Sequence, residues 1–412
     1  MRIFICVFAA LCLLTTASTL QAATAYTDAD SFTAAVAEQG LNFVLCFDSQ
    51  ASGSSATSFG MLKLTADGLQ SNGSTRITVQ PVITNTYSTT SGQNAIGGSG
   101  SREQFLAGNG DKIVFNLSHP VHAFGLRLIG NPSPTGTPAI PFWRMHANAG
   151  SGFDVLSATE PFQILNKGND VYFLGIISKE AFDQVELCSD NDPTAIFSFN
   201  VDDIVVAADV KVLNLAQVKS AEPQAVVIPG AVVTRVHSDR FNVETQDRAC
   251  GLAVMGSGTT RGKEVSVFGE LLCNADGERV LNLIHLIDEC DPEPGIPAPL
   301  GMTNRSVGGG SPAGFQIGCD GGTGLNNIGL DVTIWGEITD IASDFTWMII
   351  DDGSHRDNGT AHLGIKVVGS INARSRQVGD RIKVQGSSSI FKSGTKYYPV
   401  IKAAQPSDIT GI

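Results

Sequence analysis

Val332-Thr-Ile-Trp-Gly-Glu-Ile-Thr-Asp-Ile341 opens a stretch that runs through Asp351-Asp352-Gly353 and Gly364-Ile-Lys-Val367 to Gly379-Asp-Arg-Ile-Lys-Val-Gln-Gly386. The same signals occur earlier in the same order: Val232-Val-Thr-Arg-Val236, Ser238-Asp239, Phe241-Asn-Val-Glu244, Gly251-Leu-Ala-Val254 and Gly262-Lys-Glu-Val-Ser-Val-Phe-Gly269. In both copies the last two glycines stand seven residues apart. A repeat of this length is one supersecondary unit used twice. Each copy holds five apolar runs of strand length. They are Val226–Val236, Phe241–Glu244, Leu252–Val254, Val265–Leu271 and Val280–Ile284, then Val332–Ile341, Phe345–Ile350, Leu363–Val368, Ile382–Gln385 and Tyr397–Ile401. A tight turn after the second run and a longer excursion between the third and fourth predict a small Greek-key barrel. Gly353 permits a turn with positive φ, and Gly269 and Gly386 allow the bend or bulge by which a barrel closes.

The rest of the chain is read outward from that pair. At 412 residues it is long enough for two to four domains. Apolar residues make up 42%, charged residues only 16%, and 45 residues are glycine. With no long helical periodicity, this composition favours short strands and turns, so the expected class is all-β. Residues 1–22 read as an export signal, with Met1-Arg2, an apolar run from Ile3 to Leu14, and small-residue cleavage points at Leu20-Gln-Ala22 or Ala23-Thr-Ala25. That run is shorter than the roughly 20 residues a spanning helix needs. No other long apolar run occurs, so no transmembrane segment is expected and the mature protein should be soluble and exported.

Cysteine usage fits export. Cys6 and Cys12 fall in the signal, and Cys46, Cys188, Cys250, Cys273, Cys290 and Cys319 remain. An even number in an exported chain predicts disulfides, and no Cys-x-x-Cys spacing offers zinc instead. The expected pairs are Cys46 with Cys188 and two bridges among the other four, one of them a Cys290–Cys319 staple. Net charge is −13, with 9 Lys and Arg against 18 Asp and Glu in residues 1–210 and 18 against 22 in residues 211–412. Neither half has the basic excess of a dedicated nucleic-acid binder.

Residues 26–208 form the first domain. Asp28 can cap a short helix carrying Phe32, Ala35 and Val36 at i, i+3 and i+4. About ten short strand candidates follow, several alternating apolar and polar as in Lys112-Ile-Val-Phe-Asn-Leu117. They predict an antiparallel β-sandwich of jelly-roll type. Tyr26-Thr-Asp-Ala-Asp-Ser-Phe-Thr-Ala-Ala-Val36, Cys46-Phe-Asp48, Ala123-Phe-Gly-Leu-Arg-Leu128 and Phe199-Asn-Val-Asp-Asp-Ile-Val-Val206 carry a family resemblance. They resemble the jelly-roll domains of exported bacterial proteins, many of them surface proteins sorted by a C-terminal Pro-Glu-Pro signal. Those domains are similar in outline to carbohydrate-binding modules. The chain ends Asp408-Ile-Thr-Gly-Ile412 without that signal, so attachment by that route is not expected.

The resemblance implies two candidate sites. Asp48, Asp202 and Asp203 lie where the first and last strands of such sandwiches neighbour each other, and their oxygens would suit a structural calcium ion. The alternative is hydrated strand-edge carboxylates capping a turn. Trp143, Tyr172 and Tyr87 are candidate sugar-stacking aromatics, against the reading that they are core residues.

Residues 209–225 contain Glu222-Pro223 and lose the strand pattern, so they read as a linker. The repeats are then 226–289 and 330–412, separated by the Gly/Pro-rich segment 290–329, which is either ordered by contacts or mobile. Phe345 to Asp351-Asp352-Gly353, Gly364–Val367 and Gly379–Gly386 resemble the OB-fold, more faintly echoed by the first copy. That fold hosts nucleic-acid, sugar and protein ligands. Within 364–402 eight basic residues face one acid, Asp380, and Phe391, Tyr397 and Tyr398 are interleaved with them. That mixture is what polyanion binders use, with Lys383, Lys396, Tyr397 and Tyr398 as contact residues. The alternative is a solvated strand face balanced by Asp340, Asp344, Asp351 and Asp352.

No catalytic motif is present. The seven histidines form no His-Glu-x-x-His pair, no Gly-x-Ser-x-Gly elbow occurs, and Gly308-Gly-Gly310 lacks the ending of a phosphate loop. The sequence therefore predicts a secreted, non-catalytic modular protein. In the first reading the sandwich binds a glycan or another surface ligand and the barrels act as spacer or adhesion modules. In the second, the second barrel binds a polyanion, extracellular nucleic acid or acidic glycan. No cofactor is expected beyond the calcium.

Overall fold

The structure, a computed structural model, describes residues 23–46, 58–59, 61–67, 80–85, 89–90, 94–99, 104–107, 110–130, 143–148, 152–156, 161, 163–165, 169–189, 197–292, 295–369 and 375–412. The expected signal segment, Asp48 and Tyr87 lie outside them. The fold is mostly β and consists of three sheets.

In chain order the N-terminal part holds β1 (Ala23–Tyr26), α1 (Ala29–Glu38), β2 (Asn42–Cys46), β3 (Leu62–Asp67), β4 (Lys112–Gly130), β5 (Trp143–Ala147), β6 (Asp170–Ser189) and β7 (Phe197–Ala208), with shorter strands between. β4 and β6 run antiparallel, and register shifts between Ile177, Phe182 and Gln184 divide the pair in two. One half adds β3 beside β4 and β5 beside β6. The other adds β7 beside β4 and β1 beside β6, with β2 beyond β7. Alternation along β4 sends Phe115 and Leu117 from the first half, and Leu126 and Leu128 from the second, into one core with Trp143, Leu187 and Phe199. The two half-sheets thus face each other as a sandwich.

Asp28 caps α1 as expected, accepting from the Ser31 N–H at 2.7 Å. Phe32 and Val36 press the helix onto Ala123, Phe173 and Ile177 of the sheet's outer side. The cross-strand pair Gly125 and Gly175 makes room, because a Cβ at Gly175 would lie 2.7 Å from the Phe32 ring.

The repeat folds as two closed rings. The first comprises β8 (Gln224–Val236), β9 (Arg240–Glu244), β10 (Gly251–Met255), β11 (Glu264–Cys273) and β12 (Arg279–Cys290). Their order is β8-β9-β10-β12-β11, closed by β8 on β11, with only the β10–β12 pair parallel. The second comprises β13 (Asp331–Ile341), β14 (Trp347–Asp351), β15 (Ile365–Gly369), β16 (Arg381–Ser393) and β17 (Lys396–Ala403). It repeats the order as β13-β14-β15-β17-β16, closed by β13 on β16, with β15–β17 parallel. Each ring encloses its own apolar core.

The segments read as linkers are ordered parts of the barrels. Lys211–Val212 adds to β8, and Asn214 and Gln217 form a reciprocal cap on α2 (Leu215–Val218), which sends Leu215 and Val218 into the first core. In 290–329, Leu300–Gly301 pairs with β13, and Val307 enters the second core. Asparagine side chains hold this excursion: Asn304 donates to the Ile350 carbonyl at 2.8 Å, and Asn327 accepts from the Gly308 N–H and the Ser388 hydroxyl at 2.8 Å each.

The disulfide expectation is corrected here, because no disulfide is formed among the described residues. The Cys250 thiol donates to the Leu215 carbonyl at 3.0 Å and the Cys273 thiol to Phe315 at 3.4 Å. Cys319 is packed with Ile328 and Ile390, and burial pushes its pKa up to about 12. The expected Cys290–Cys319 staple fails on distance. Cys290 ends the β11–β12 ladder opposite Glu264, whereas the 315–319 loop sits at the Cys273–Arg279 end, roughly 30 Å of strand away. The side chain of Cys46 lies outside the described residues, and with it the Cys46–Cys188 pair.

Candidate functional site

Strand alternation puts every second residue of a ring on its outside. On β9, Phe241 and Val243 point into the core, so Arg240, Asn242 and Glu244 point out. All three are nevertheless buried, because the second barrel lies against them. Asn242 donates to the Gly329 carbonyl at 3.2 Å, and Glu244 accepts from the Asp331 N–H and from the Thr234 hydroxyl. Arg235 grips Asp331 with Nε and Nη2, both at 3.0 Å, and Asp408 with Nη1 at 2.7 Å. Glu278 of the first barrel receives Arg240 at 2.9 Å, the Ser389 hydroxyl at 2.8 Å and Lys402 at 3.4 Å. The backbones meet at Gly251 and Gly329, where a Cβ on Gly251 would lie 2.6 Å from the Gly329 carbonyl.

The electrostatics follow from that burial. Loss of water raises Glu244 to about 7, and raises Asp331 as well despite the Arg235 guanidinium beside it. Burial acts against Glu278 too, but Lys402 and Arg240 outweigh it and hold its carboxyl below the usual range. The paired charges fix one docking geometry, and removing one partner would leave an uncompensated buried charge. The barrels are docked against each other through these contacts.

The matching face of the second barrel is only partly covered: Ile349 is fully buried on it, and Trp347, Lys366 and Phe391 are half-buried. Met348 and Ile350 of β14 point into its core, leaving Trp347 on the outside. On β15, Ile365 and Val367 point in and Lys366 points out. The Lys366 ammonium lies 5.0 Å from the Trp347 ring centroid and 5.3 Å from that of Phe391, a cation held against two aromatic rings. Lys392 sits 5.7 Å from the Tyr397 ring. Around the ring, Trp335 pairs across the ladder with Lys383 and is 47% exposed. Between β13 and β14 a tight turn presents Phe345, partly exposed at φ 62, with Thr346 anchored on the Asp344 carboxylate at 2.7 Å. A bulky residue at positive φ is strained, and such strain concentrates at ligand-contacting turns.

The sequence-predicted residues divide accordingly. Lys383 and Lys396 are exposed and Tyr397 is half-buried on this barrel. Tyr398 is 7% exposed, because Gly359 packs on its ring, so it offers no stacking face. Trp143 and Tyr172 are 1% and 4% exposed. Alternation along β5 and β6 turns both into the sandwich core, where the Trp143 ring meets Phe199 at 4.5 Å, and neither can stack a sugar. Asp202 and Asp203 do come together. Arg127 supplies the cation there, pairing with Asp203, while Thr90 donates to Asp202 through its N–H at 2.7 Å and hydroxyl at 2.8 Å. Burial, with Asp203 adding repulsion, raises Asp202 to about 6. Among the described residues no group of three or more His, Cys, Asp and Glu is arranged to hold a metal ion, and no helix is long and apolar enough to cross a membrane.

Where the turn into β9 meets the ends of β15 and β17, a half-open cleft of about 310 Å³ lies between the barrels. His237, Asp239 and Arg240 form one wall, and Val368, Lys402 and Ala404 the other. His237 touches the Ser387 hydroxyl at 3.2 Å, and burial, with Arg235 and Arg240 nearby, lowers its pKa to about 4. Sequence reading counted Lys366 among the basic residues of 364–402 but passed over Trp335 and Trp347, because the continuous apolar run Trp347-Met-Ile-Ile350 gives no alternation to mark an outer face. No family model, curated protein or solved structure matches the chain.

Proposed function

We propose that this chain is an exported, non-enzymatic binding protein that holds an acidic polymer on the outer face of its second barrel. The carrying observation is Lys366 set against the Trp347 and Phe391 rings, all three half-buried, on a face whose counterpart in the first barrel is buried. Lys383 beside Trp335 and Lys396 are further exposed cations on the same barrel. Cations bind the polymer's charges while ring faces stack on its units, a mixture that tolerates many sequences of unit. The ring order with its parallel third and fifth strands supports reading both barrels as OB-folds, whose second and third strands form the usual ligand face. Two half-sheets on one core support a jelly-roll reading of the N-terminal domain. Of the aromatics first expected to form a glycan platform on that domain, Trp143 and Tyr172 are in the core.

The test is a binding panel of a polyuronate, a sulfated glycan, single-stranded DNA and a neutral glucan at two salt concentrations. The proposal expects salt-sensitive binding to at least one polyanion, weakened roughly tenfold or more by Lys366→Ala with Lys383→Ala. Salt-independent binding to the glucan alone, unchanged in that variant, would refute it.

A further inference from the structure

We infer that the junction between the sandwich and the first barrel is an acid-released joint: protons on His119 and His285 detach the sandwich while the two barrels stay docked. Alternation along β8 sends Val226 and Ile228 into the barrel's own core and Val227 into the sandwich core. Phe268 of β11 joins Val227 there, and Ala225, Ile284 and Ile287 pack against the same cluster. Along β12, Leu283 and Leu286 turn to the barrel core, whereas Ile284 and Ile287 turn to the sandwich. His285 lies between those two isoleucines as the cross-strand partner of Phe268, and paired side chains share one face of a sheet. From the sandwich side, His119 of β4 meets the Phe268 ring edge-on, with centroids 5.2 Å apart and planes at 81°. Close by on β4, His122 accepts the Asp209 N–H at 3.4 Å, just where the chain leaves the sandwich.

The chemistry of this joint differs from that of the dock. Buried ion pairs hold the barrels together, Arg235 with Asp331 and Asp408, and Arg240 and Lys402 with Glu278. The joint instead consists of apolar side chains and imidazoles. Such a seam accepts a neutral ring and penalises a charged one. Burial lowers the pKa of His285 to about 4. Burial lowers His119 as well, although Glu270 of β11 favours its proton, and His122 on its own strand opposes it. Opening the joint returns these rings to water and to the ordinary value of 6.5. A pKa lowered in the docked state gives a contribution to docking that is fully present above 6.5 and is lost as pH falls towards about 4. Across that window His285 alone weakens docking by about tenfold per pH unit.

The full chain would be footprinted with hydroxyl radicals at about pH 7.5 and about pH 4.5. Phe268, 0% exposed in the joint, reports opening, and Phe241 in the barrel's own core reports unfolding. Labelling of Phe268 should rise at least about tenfold on acidification and fall back on return to neutral pH, while Phe241 stays unlabelled. His285→Gln or His285→Leu, each combined with His119→Gln, leaves no imidazole against Phe268. Either double variant should keep its acid labelling within about twofold of its neutral value. The polar and apolar replacements at 285 carry different folding risks, so one that docks at neutral pH suffices. Phe268 unlabelled in acid, Phe241 labelled along with it, or the same rise in a variant docked at neutral pH would each overturn the inference.

Discussion

The two barrels share one strand order and use the same outer face in opposite ways. In the first, β9 carries Arg240, Asn242 and Glu244 outward into Gly329, Asp331 and the Glu278 cluster, and the face is closed. In the second, β14 and β15 carry Trp347 and Lys366 outward beside Phe391, and these three stay half-buried. Small changes of residue at equivalent outward positions suffice for this. Buried charged and polar side chains make the dock in the first barrel, and half-buried rings with a cation take the equivalent place in the second.

The largest effect should come from breaking the dock. Arg235→Ala leaves Asp331 and Asp408 buried without their cation and should cost about 3–5 kcal/mol in urea denaturation. A loss under about 1 kcal/mol would mean that the barrels do not depend on this charge set.

Glu244 tests the same interface through pH. Burial raises its folded pKa to about 7 from an ordinary 4.5, so between those values the folded chain holds a proton the unfolded chain has released. Its contribution is fully present below the unfolded pKa and is lost as pH rises through about 7. His237 and His285, lowered to about 4 mainly by burial, act oppositely, losing stability as pH falls from 6.5 towards 4. The difference between wild type and Glu244→Gln isolates the carboxyl. The variant should gain on the order of 3 kcal/mol relative to wild type between pH 5 and 8. A flat difference curve would show that Glu244 is not buried against Asp331.

Gly251→Ala probes the closeness of the dock. Its Cβ would meet the Gly329 backbone at 2.6 Å, and overpacking of this kind should cost roughly 1–3 kcal/mol in thermal unfolding. Wild-type stability would mean that the backbones stand further apart. The smallest effect concerns the face of the second barrel. Lys366→Ala should weaken polyuronate binding about tenfold, about 1.4 kcal/mol, while leaving the melting temperature unchanged. An unchanged affinity would move the ligand off β15.

The barrels were legible in the sequence because their signal is local. Apolar runs, with glycines seven residues apart, marked five strands in each copy, most within two residues of the bounds observed, although β12 and β16 continue past the expected Ile284 and Gln385 to Cys290 and Ser393. The dock was not legible, because alternation says which side of a strand a residue takes and not what lies beyond it. Glu244 points out of its own barrel yet is buried against Asp331, and Glu278 against Ser389, both partners far along the chain. The same limit hid the fate of Trp143 and Tyr172, which only the packing of two half-sheets could turn inward. Cysteine count misled for a different reason: asparagine side chains, invisible to a disulfide count, already order the 290–329 excursion.

Hydroxyl-radical footprinting of the full chain with and without polyuronate tests the contrast between the barrels most directly. Trp347, Phe391 and Trp335 should lose labelling when the polymer is present, while Phe241 and Trp143 stay unlabelled in both states. Protection confined to the sandwich, or none on the second barrel at saturating polymer, would contradict it.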